Sequence, residues 1–245
     1  MHDWRSAKLT EDYLEGVRGG IPLADTQIEV IIRIISSWLT EVRNFLDMGC
    51  GDGILGRQLF QQWPKSYGIF MDFSEPMIES AREKCQEYKD RCSIVLQDYG
   101  NENWIESIKT LLPVDVVISG YSIHHQEDDI KYRIYEDIYK ILRPGGIFLN
   151  LEHVASPNPK IEKLFDKMFV DGLYAYHVET GGKDSRKEIA DKFYNREDKV
   201  LNKLTLVEKQ VEWLQEIGYI NTDCFFKLFE LALFGGQKPI EDNHP

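Results

Sequence analysis

Short apolar runs alternate along this chain with stretches whose apolar residues recur every three or four positions, a rhythm that predicts strands separated by helices. Ile28, Ile31, Ile32, Ile35 and Leu39 describe an amphipathic helix before the first strand. That strand begins at Phe45 and runs into a glycine-rich turn, after which Leu55, Leu59 and Phe60 mark the next helix. Residues 67–71 form a second apolar run. Ser74 then stands where a helix cap belongs, with Pro76 in the first turn and Met77, Ile78, Ala81 and Cys85 as the inward stripe. Residues 92–96, 114–119 and 147–151 read as strands three, four and five, and Ile130, Ile134, Ile138 and Ile141 give the helix before strand five its apolar face. Near the end the rhythm changes. Val207, Val211, Leu214 and Ile217 make a helix stopped by Gly218, and residues 219–226 and 229–236 are two strands with a link too short for a parallel crossover. One of them must run antiparallel.

The predicted fold class is therefore α/β: a doubly wound, mostly parallel seven-stranded sheet with a C-terminal antiparallel hairpin and a helical insertion after strand five. No Pro/Gly/Ser-rich linker divides the chain. One domain over 1–245 is expected, with 1–40 as an N-terminal helical cap and 152–204 as a helical lid or substrate wall. Within the insertion, Ile161, Leu164, Phe165, Met168 and Phe169 follow helical spacing, and Gly181-Gly182 offers a hinge between two helical parts. Trp4 and Tyr13 are either packing anchors or part of a segment folding over a ligand.

Candidate chemistry concentrates in Phe45-Leu-Asp-Met-Gly-Cys-Gly-Asp-Gly53 and in Asp72, which closes the second strand. A strand ending in Asp-x-Gly-x-Gly-x-Gly, then a helix, then a strand ending in an acid describes a nucleotide-type pocket at the carboxyl edge of a parallel sheet. Phosphate ligands want backbone N–H groups and a helix N-terminus. Carboxylates suit S-adenosylmethionine better, because it carries an ammonium, a sulfonium, a ribose diol and an adenine. Asp47 is placed to receive the ammonium; Gly49, Gly51 and Gly53 allow tight turns and a close approach; Asp72 offers two acceptor oxygens to a vicinal diol. The competing reading is Gly51-Asp-Gly-Ile-Leu-Gly56, which spells the dinucleotide pattern. In a dehydrogenase, however, the strand normally runs straight into the first glycine, and Asp47 would repel a pyrophosphate.

Charge narrows the partners. The formal net charge is −12 and there is no long Lys/Arg block, which disfavours a nucleic-acid partner. Four cysteines, at 50, 85, 92 and 224, show no C-x-x-C pair and no zinc spacing, so reduced thiols are expected. No apolar run is long enough to span a membrane, and Met1-His-Asp-Trp-Arg lacks the apolar region of a signal peptide. A cytoplasmic location follows by default; the oligomeric state stays open.

With these motifs in order, the chain resembles the class I, seven-stranded S-adenosylmethionine-dependent methyltransferases, of the type acting on small molecules. The resemblance is strong over 43–151, returns over 205–238 and is weak between. It implies that Asp47 to Gly53 is the glycine-rich motif, Asp72 the ribose acid, Phe73 an apolar face against adenine, and Asp98, with the Tyr99 backbone nearby, the acceptor from the adenine amino group. Ser119, ending strand four, would lie near the methionine moiety. Arg143-Pro-Gly-Gly146 matches the turn before strand five. Ser122-Ile-His-His125 resembles the segment after strand four, so His124 or His125 is a candidate base, set against packing or helix capping. Glu152 and His153, just past strand five, are further candidates, set against a solvated loop. No metal is expected, since the magnesium-dependent branch wants an acid where this chain has Ser119-Gly120. Tyr176 and Arg196 are the candidate acceptor contacts.

Methyl transfer is in-line displacement, for which the protein aligns groups, excludes water, and supplies a base only if the acceptor atom carries a proton. The expected activity is methylation of a small organic acceptor. Its rivals are tRNA modification or S-adenosylmethionine-derivative chemistry on the same fold, and a non-catalytic binding module.

Overall fold

The computed structural model describes residues 6, 10, 14, 16, 18–196, 199 and 201–240. Trp4 and Tyr13, together with much of the expected N-terminal cap, lie outside the described residues. From Arg18 onward the chain forms α1 (Ala24–Trp38), β1 (Asn44–Met48), α2 (Ile54–Gln62), β2 (Tyr67–Asp72), α3 (Glu75–Lys84), β3 (Cys92–Leu96), β4 (Val114–Gly120), α4 (Asp128–Ile141), β5 (Leu142–His153), α5 (Pro159–Glu179), α6 (Arg186–Tyr194), α7 (Val207–Ile217), β6 (Ile220–Leu228) and β7 (Leu231–Gln237). The strands join in one sheet of order β3-β2-β1-β4-β5-β7-β6. β1 to β5 pair in parallel, whereas β7 pairs antiparallel with both β5 and β6. The order reverses between β1 and β4, and in such sheets ligands bind at the carboxyl ends of the strands beside that reversal.

Each face of the sheet carries its own core. One contains Ile31, Ile35, Leu55, Leu59, Phe60, Phe70 and Ile78, from α1, α2, α3 and the strands. The other gathers Trp104, Ile134, Tyr135, Ile138, Phe148, Trp213, Leu214 and Phe234 under α4 and α7. Strand residues buried on both faces read as continuous apolar runs, which is why the sequence places them well. The predicted caps are also present: Ser74 Oγ accepts from Met77 N at 3.4 Å, and Gly218 ends α7 at φ 110°.

Strand five differs from its expected limits. β5 starts at Leu142 rather than Ile147, with Arg143-Pro-Gly-Gly146 bulging between the pairings Val114↔Leu142 and Val116↔Ile147. Gly145 takes φ 78° there, and the Arg143 side chain bonds Asp115, whose other oxygen accepts from the Arg43 and Asn44 amides. A side-chain bridge of this kind holds the turn against the sheet, so pairing resumes on both sides of it.

Phe165, Phe169, Val170 and Phe193 of the insertion form a small core with Leu231 at the start of β7. From its predicted stripe, Phe165 and Phe169 are buried and Leu164 is exposed. Gly181-Gly182 does separate α5 from α6, whose Ser185 and Glu188 form a capping box. α5 also packs against the segment before α1. A Cβ on Gly19 would fall 2.2 Å from the Tyr176 ring, and one on Gly172 would fall 2.7 Å from the Gly20 carbonyl oxygen. The two pieces predicted as separate covers are thus in contact. No described helix is long and apolar enough to cross a membrane.

Candidate functional site

The β1–α2 turn is a left-handed stretch: Gly49, Gly51 and Gly53 sit at φ 65°, 54° and 79°, a region that costs other residues about 1–2 kcal/mol each. At Gly49 packing adds a second demand, since a Cβ would lie 1.9 Å from Ser122 Oγ. The turn brings the Gly51 amide to Asp72 Oδ2 at 2.9 Å, while Asp72 Oδ1 accepts from Ser74 N at 2.9 Å. Two strand ends are thereby tied together by one carboxylate. Burial pushes the Asp72 pKa up, against the pull of the Ser74, Gly51 and Phe73 amides. Asp47 accepts from the Gly56 amide at 2.8 Å, and burial, reinforced by Asp52 and Asp72, raises its pKa to about 8. Asp52 follows the opposite course. Burial raises it, but Arg18 at 2.7 Å and Lys84 at 2.7 Å outweigh that and hold it below the usual carboxylate range.

A cavity of about 120 Å³ opens over this turn, lined among others by Asp47, Gly49, Gly51, Asp72, Phe73 and Met77 on the sheet side. Arg18, Gln27 and Ile28 close it from the N-terminal side. A second cavity, of about 310 Å³, lies under the insertion, with Phe165, Phe169, Phe193, Arg196, His124 and His153 in its walls. Ile21, Tyr121 and His125 line both cavities, so the two meet there. Tyr121 holds this junction at a positive φ of 52° and donates its hydroxyl to the buried Gln27 Oε1 at 2.8 Å. A non-glycine residue in the left-handed region at a cavity junction marks a place where the fold over-determines the backbone.

The histidines stand in a row. Ring centroids of His124 and His125 are 3.9 Å apart, and those of His124 and His153 are 5.7 Å apart. His124 Nδ1 lies 2.6 Å from Glu152 Oε1, and the Asn202 side chain also bonds His124. Glu152 is 1% exposed and accepts from Asn150 Nδ2 at 3.3 Å; burial raises its pKa to about 7. Burial likewise drives the pKa values of His124 and His125 well below the imidazole range, so both rings are neutral at pH 7. His125 Nδ1 faces the Leu201 carbonyl at 3.4 Å. A carbonyl only accepts, which fixes the tautomer with Nδ1–H and leaves the lone pair on Nε2.

The structure does not bring all of the expected positions to the cavities. Ser119 is fully buried with its Oγ unbonded and lines neither cavity, because it pairs with Asn150 and faces the α4 side; Gly120, Tyr121 and Ser122 line the first cavity in its place. The Tyr99 side chain is core, its hydroxyl bonded to Ser122 Oγ at 2.5 Å, and Asp98 turns Oδ1 to the Gly100 amide at 2.8 Å, beyond the cavity lining. Gly53 serves the turn rather than the cavity wall. Tyr176 covers Gly19 instead of reaching the second cavity, whereas Arg196 does line it. Glu152 sits behind His124 and touches no cavity. Arg18, Tyr121, Asn202 and Glu230 are cavity residues that no spacing rule singles out; only the proximity of Tyr121 to the histidine pair hinted at one of them.

Comparison with known proteins bears on the same region. A family described as "Methyltransferase domain" matches residues 45–146. The ribosomal RNA large subunit methyltransferase G of Shewanella loihica is 30% identical over 132 residues, covering 51% of this chain and 33% of that protein. The chain thus spans about a third of the length of such relatives. The carboxy-S-adenosyl-L-methionine synthase of Nautilia profundicola is 23% identical over 214 residues, covering 87% of this chain and 85% of that protein. In fold, the chain is similar to an O-methyltransferase family protein from Burkholderia thailandensis, with a TM-score of 0.66 and 14% identity over 98% of this chain and 62% of that one. Residues 45–146, from the glycine turn to the turn inside β5, thus match a methyltransferase-domain family, and the chain shares its seven-stranded fold with an O-methyltransferase family protein.

Proposed function

We propose that the chain binds S-adenosylmethionine in the first cavity and methylates a small organic acceptor held in the second. The residues fit the cofactor. A Cβ on Gly51 would meet only Met77 Sδ at 3.7 Å, so the cradle is open at the glycine that faces it. Around it stand an acid for the ammonium (Asp47), an acid for the diol (Asp72) and the apolar Phe73 and Met77 for a purine. When bound, the cofactor supplies a methyl carbon on a positive sulfur, which passes to an acceptor lone pair while the C–S bonding pair stays on sulfur.

The observation that carries this reading is the junction of the two cavities at Ile21, Tyr121 and His125. Transfer requires donor and acceptor atoms in line with water excluded, and this is where the two chambers touch. His125 holds the acceptor X–H there and takes its proton on Nε2. Glu152 beneath it favours the charged ring. His124, satisfied by Glu152 and Asn202, is a positioning residue that fixes the floor. α5, α6 and the segment before α1 act as one lid.

The test is transfer of isotopic methyl from labelled S-adenosylmethionine into a metabolite extract, with product masses compared for wild type, His125→Ala and His124→Asn. Labelled products absent from His125→Ala but retained at reduced KM-dependent efficiency in His124→Asn support the assignment. A second reading has its own support, because the relative named carboxy-S-adenosyl-L-methionine synthase matches over 87% of this chain and 85% of its own length. A carboxylated cofactor appearing in the same mass spectra, with no labelled acceptor, would select that reading. An RNA acceptor is disfavoured by the net charge of −12, and tight tRNA or rRNA binding that weakens steeply with salt would restore it.

A further inference from the structure

The second cavity holds an imidazole–carboxylate pair that removal of one proton at His125 does not use. His153 Nε2 lies 2.8 Å from Glu230 Oε2, and Glu230 Oε1 accepts from Ser156 Oγ. Glu230 is 4% exposed, in the turn between β6 and β7, and both it and His153 line the cavity. A carboxylate accepts, so Nε2 of His153 carries the hydrogen and the lone pair is on Nδ1. The cavity therefore contains two imidazoles in acceptor tautomers, His125 at the junction and His153 farther in, with His124 between them. Its walls are aromatic. Phe165 lies 5.4 Å from the His153 ring, Phe165 and Phe169 are 5.6 Å apart, and Phe169 and Phe193 are stacked at 5.6 Å and 29°. Acids slightly outnumber bases in the lining, Glu162, Asp166 and Glu230 standing against Arg196 and Lys199, with Lys199 4.0 Å from Asp166. The volume is at the lower end of the ~300–1,000 Å³ typical of small-molecule pockets, enough for one or two rings.

Resting on the methyl-transfer reading above, we infer that the acceptor is an uncharged, flat aromatic molecule with two hydrogen-donating groups: a hydroxyl that is methylated at His125, and a second hydroxyl or N–H that His153 receives. The aromatic walls take the ring faces, the slight excess of acids gives no purchase to an anion, and two acceptor nitrogens select two donors. In the step itself the aryl oxygen forms the new O–CH3 bond, its proton goes to His125 Nε2, and the C–S pair remains on sulfur. His153 and Glu230 decide which acceptor is held; they do not take part in bond making.

The experiment is calorimetric binding of dihydroxybenzene isomers, 2,7-dihydroxynaphthalene, monohydroxy analogues and hydroxybenzoates to the full chain saturated with S-adenosylhomocysteine. One extra hydrogen bond predicts a preference of roughly tenfold for the best dihydroxy probe over its monohydroxy analogue. That preference should vanish in His153→Phe, which keeps the packing on Phe165, and shrink in Glu230→Gln, which releases the tautomer; a melting profile checks that each folds. If only one variant folds, the loss of preference in that variant decides. Equal binding of mono- and dihydroxy probes, stronger binding of hydroxybenzoates, or no binding of any phenol to a protein that still binds S-adenosylhomocysteine overturns the inference and leaves the cofactor site standing. Failure to bind S-adenosylhomocysteine overturns both.

Discussion

Asp47→Asn should stabilise the ligand-free protein and weaken cofactor binding, two effects of opposite sign from one atom. Asp47 is 1% exposed, with one hydrogen bond, from the Gly56 amide, and two neighbouring acids, so burial raises its pKa from 3.8 to about 8. A carboxyl raised in the folded state contributes stability that is complete below the unfolded value and is lost as pH climbs through the folded one. Each unit between the two values is worth about 1.4 kcal/mol, so the folded protein forfeits up to about 4 kcal/mol between acid pH and pH 7 on account of this group alone. The amide of the variant retains an oxygen for the Gly56 N–H and has no proton to lose. Urea unfolding at half-unit steps from pH 5 to 8.5 measures the effect as the difference between wild-type and variant slopes, which removes the contribution of other carboxylates. The same variant should bind S-adenosylhomocysteine at least tenfold more weakly, and the proton that wild type releases on binding at pH 7, read from calorimetry in buffers of different ionisation enthalpy, should disappear. Parallel slopes in the two proteins would show that Asp47 is ionised throughout and would refute the electrostatic account of the turn.

Gly49→Ala, which combines φ 65° with a Cβ 1.9 Å from Ser122 Oγ, should cost about 2–4 kcal/mol of stability by adding a left-handed penalty to overpacking, checked by chemical denaturation. Lys131, 1% exposed and bonded to Asp128, Thr205 and the Lys203 carbonyl, should cost about 2–3 kcal/mol when changed to Met, because those acceptors lose a charged donor; a loss under 0.5 kcal/mol would mean water replaces it freely. Hydrogen exchange of residues 160–194 should slow when S-adenosylhomocysteine and an acceptor are bound together, and Arg18→Ala, by releasing the contact to Asp52 at 2.7 Å, should speed exchange there without acceptor. Equal exchange in all states would reduce the insertion to scaffold.

The periodicity of the chain determined the elements and their order, because the central parallel strands β1, β2, β4 and β5, buried on both faces, must be nearly continuous apolar runs, and a two-residue link between the last strands forbids a parallel crossover. It also located the cofactor turn. Left-handed glycines and acids at strand ends are local requirements, and local requirements are written in consecutive residues. The acceptor side was not legible in that way. Ser119 lies away from both cavities because successive residues of a strand face opposite sides, and Tyr176 meets Gly19 because helical spacing does not say which neighbour a face will meet. Pairs such as His153 with Glu230, 77 positions away, or Tyr121 with Gln27, 94 positions away, come into being only when the insertion, the hairpin and the N-terminal segment converge on the edge of the sheet. Sequence determined the glycine turn; tertiary packing alone decided which imidazoles line the second cavity, since tautomer, burial and charge are properties of neighbours that the chain brings together from far apart.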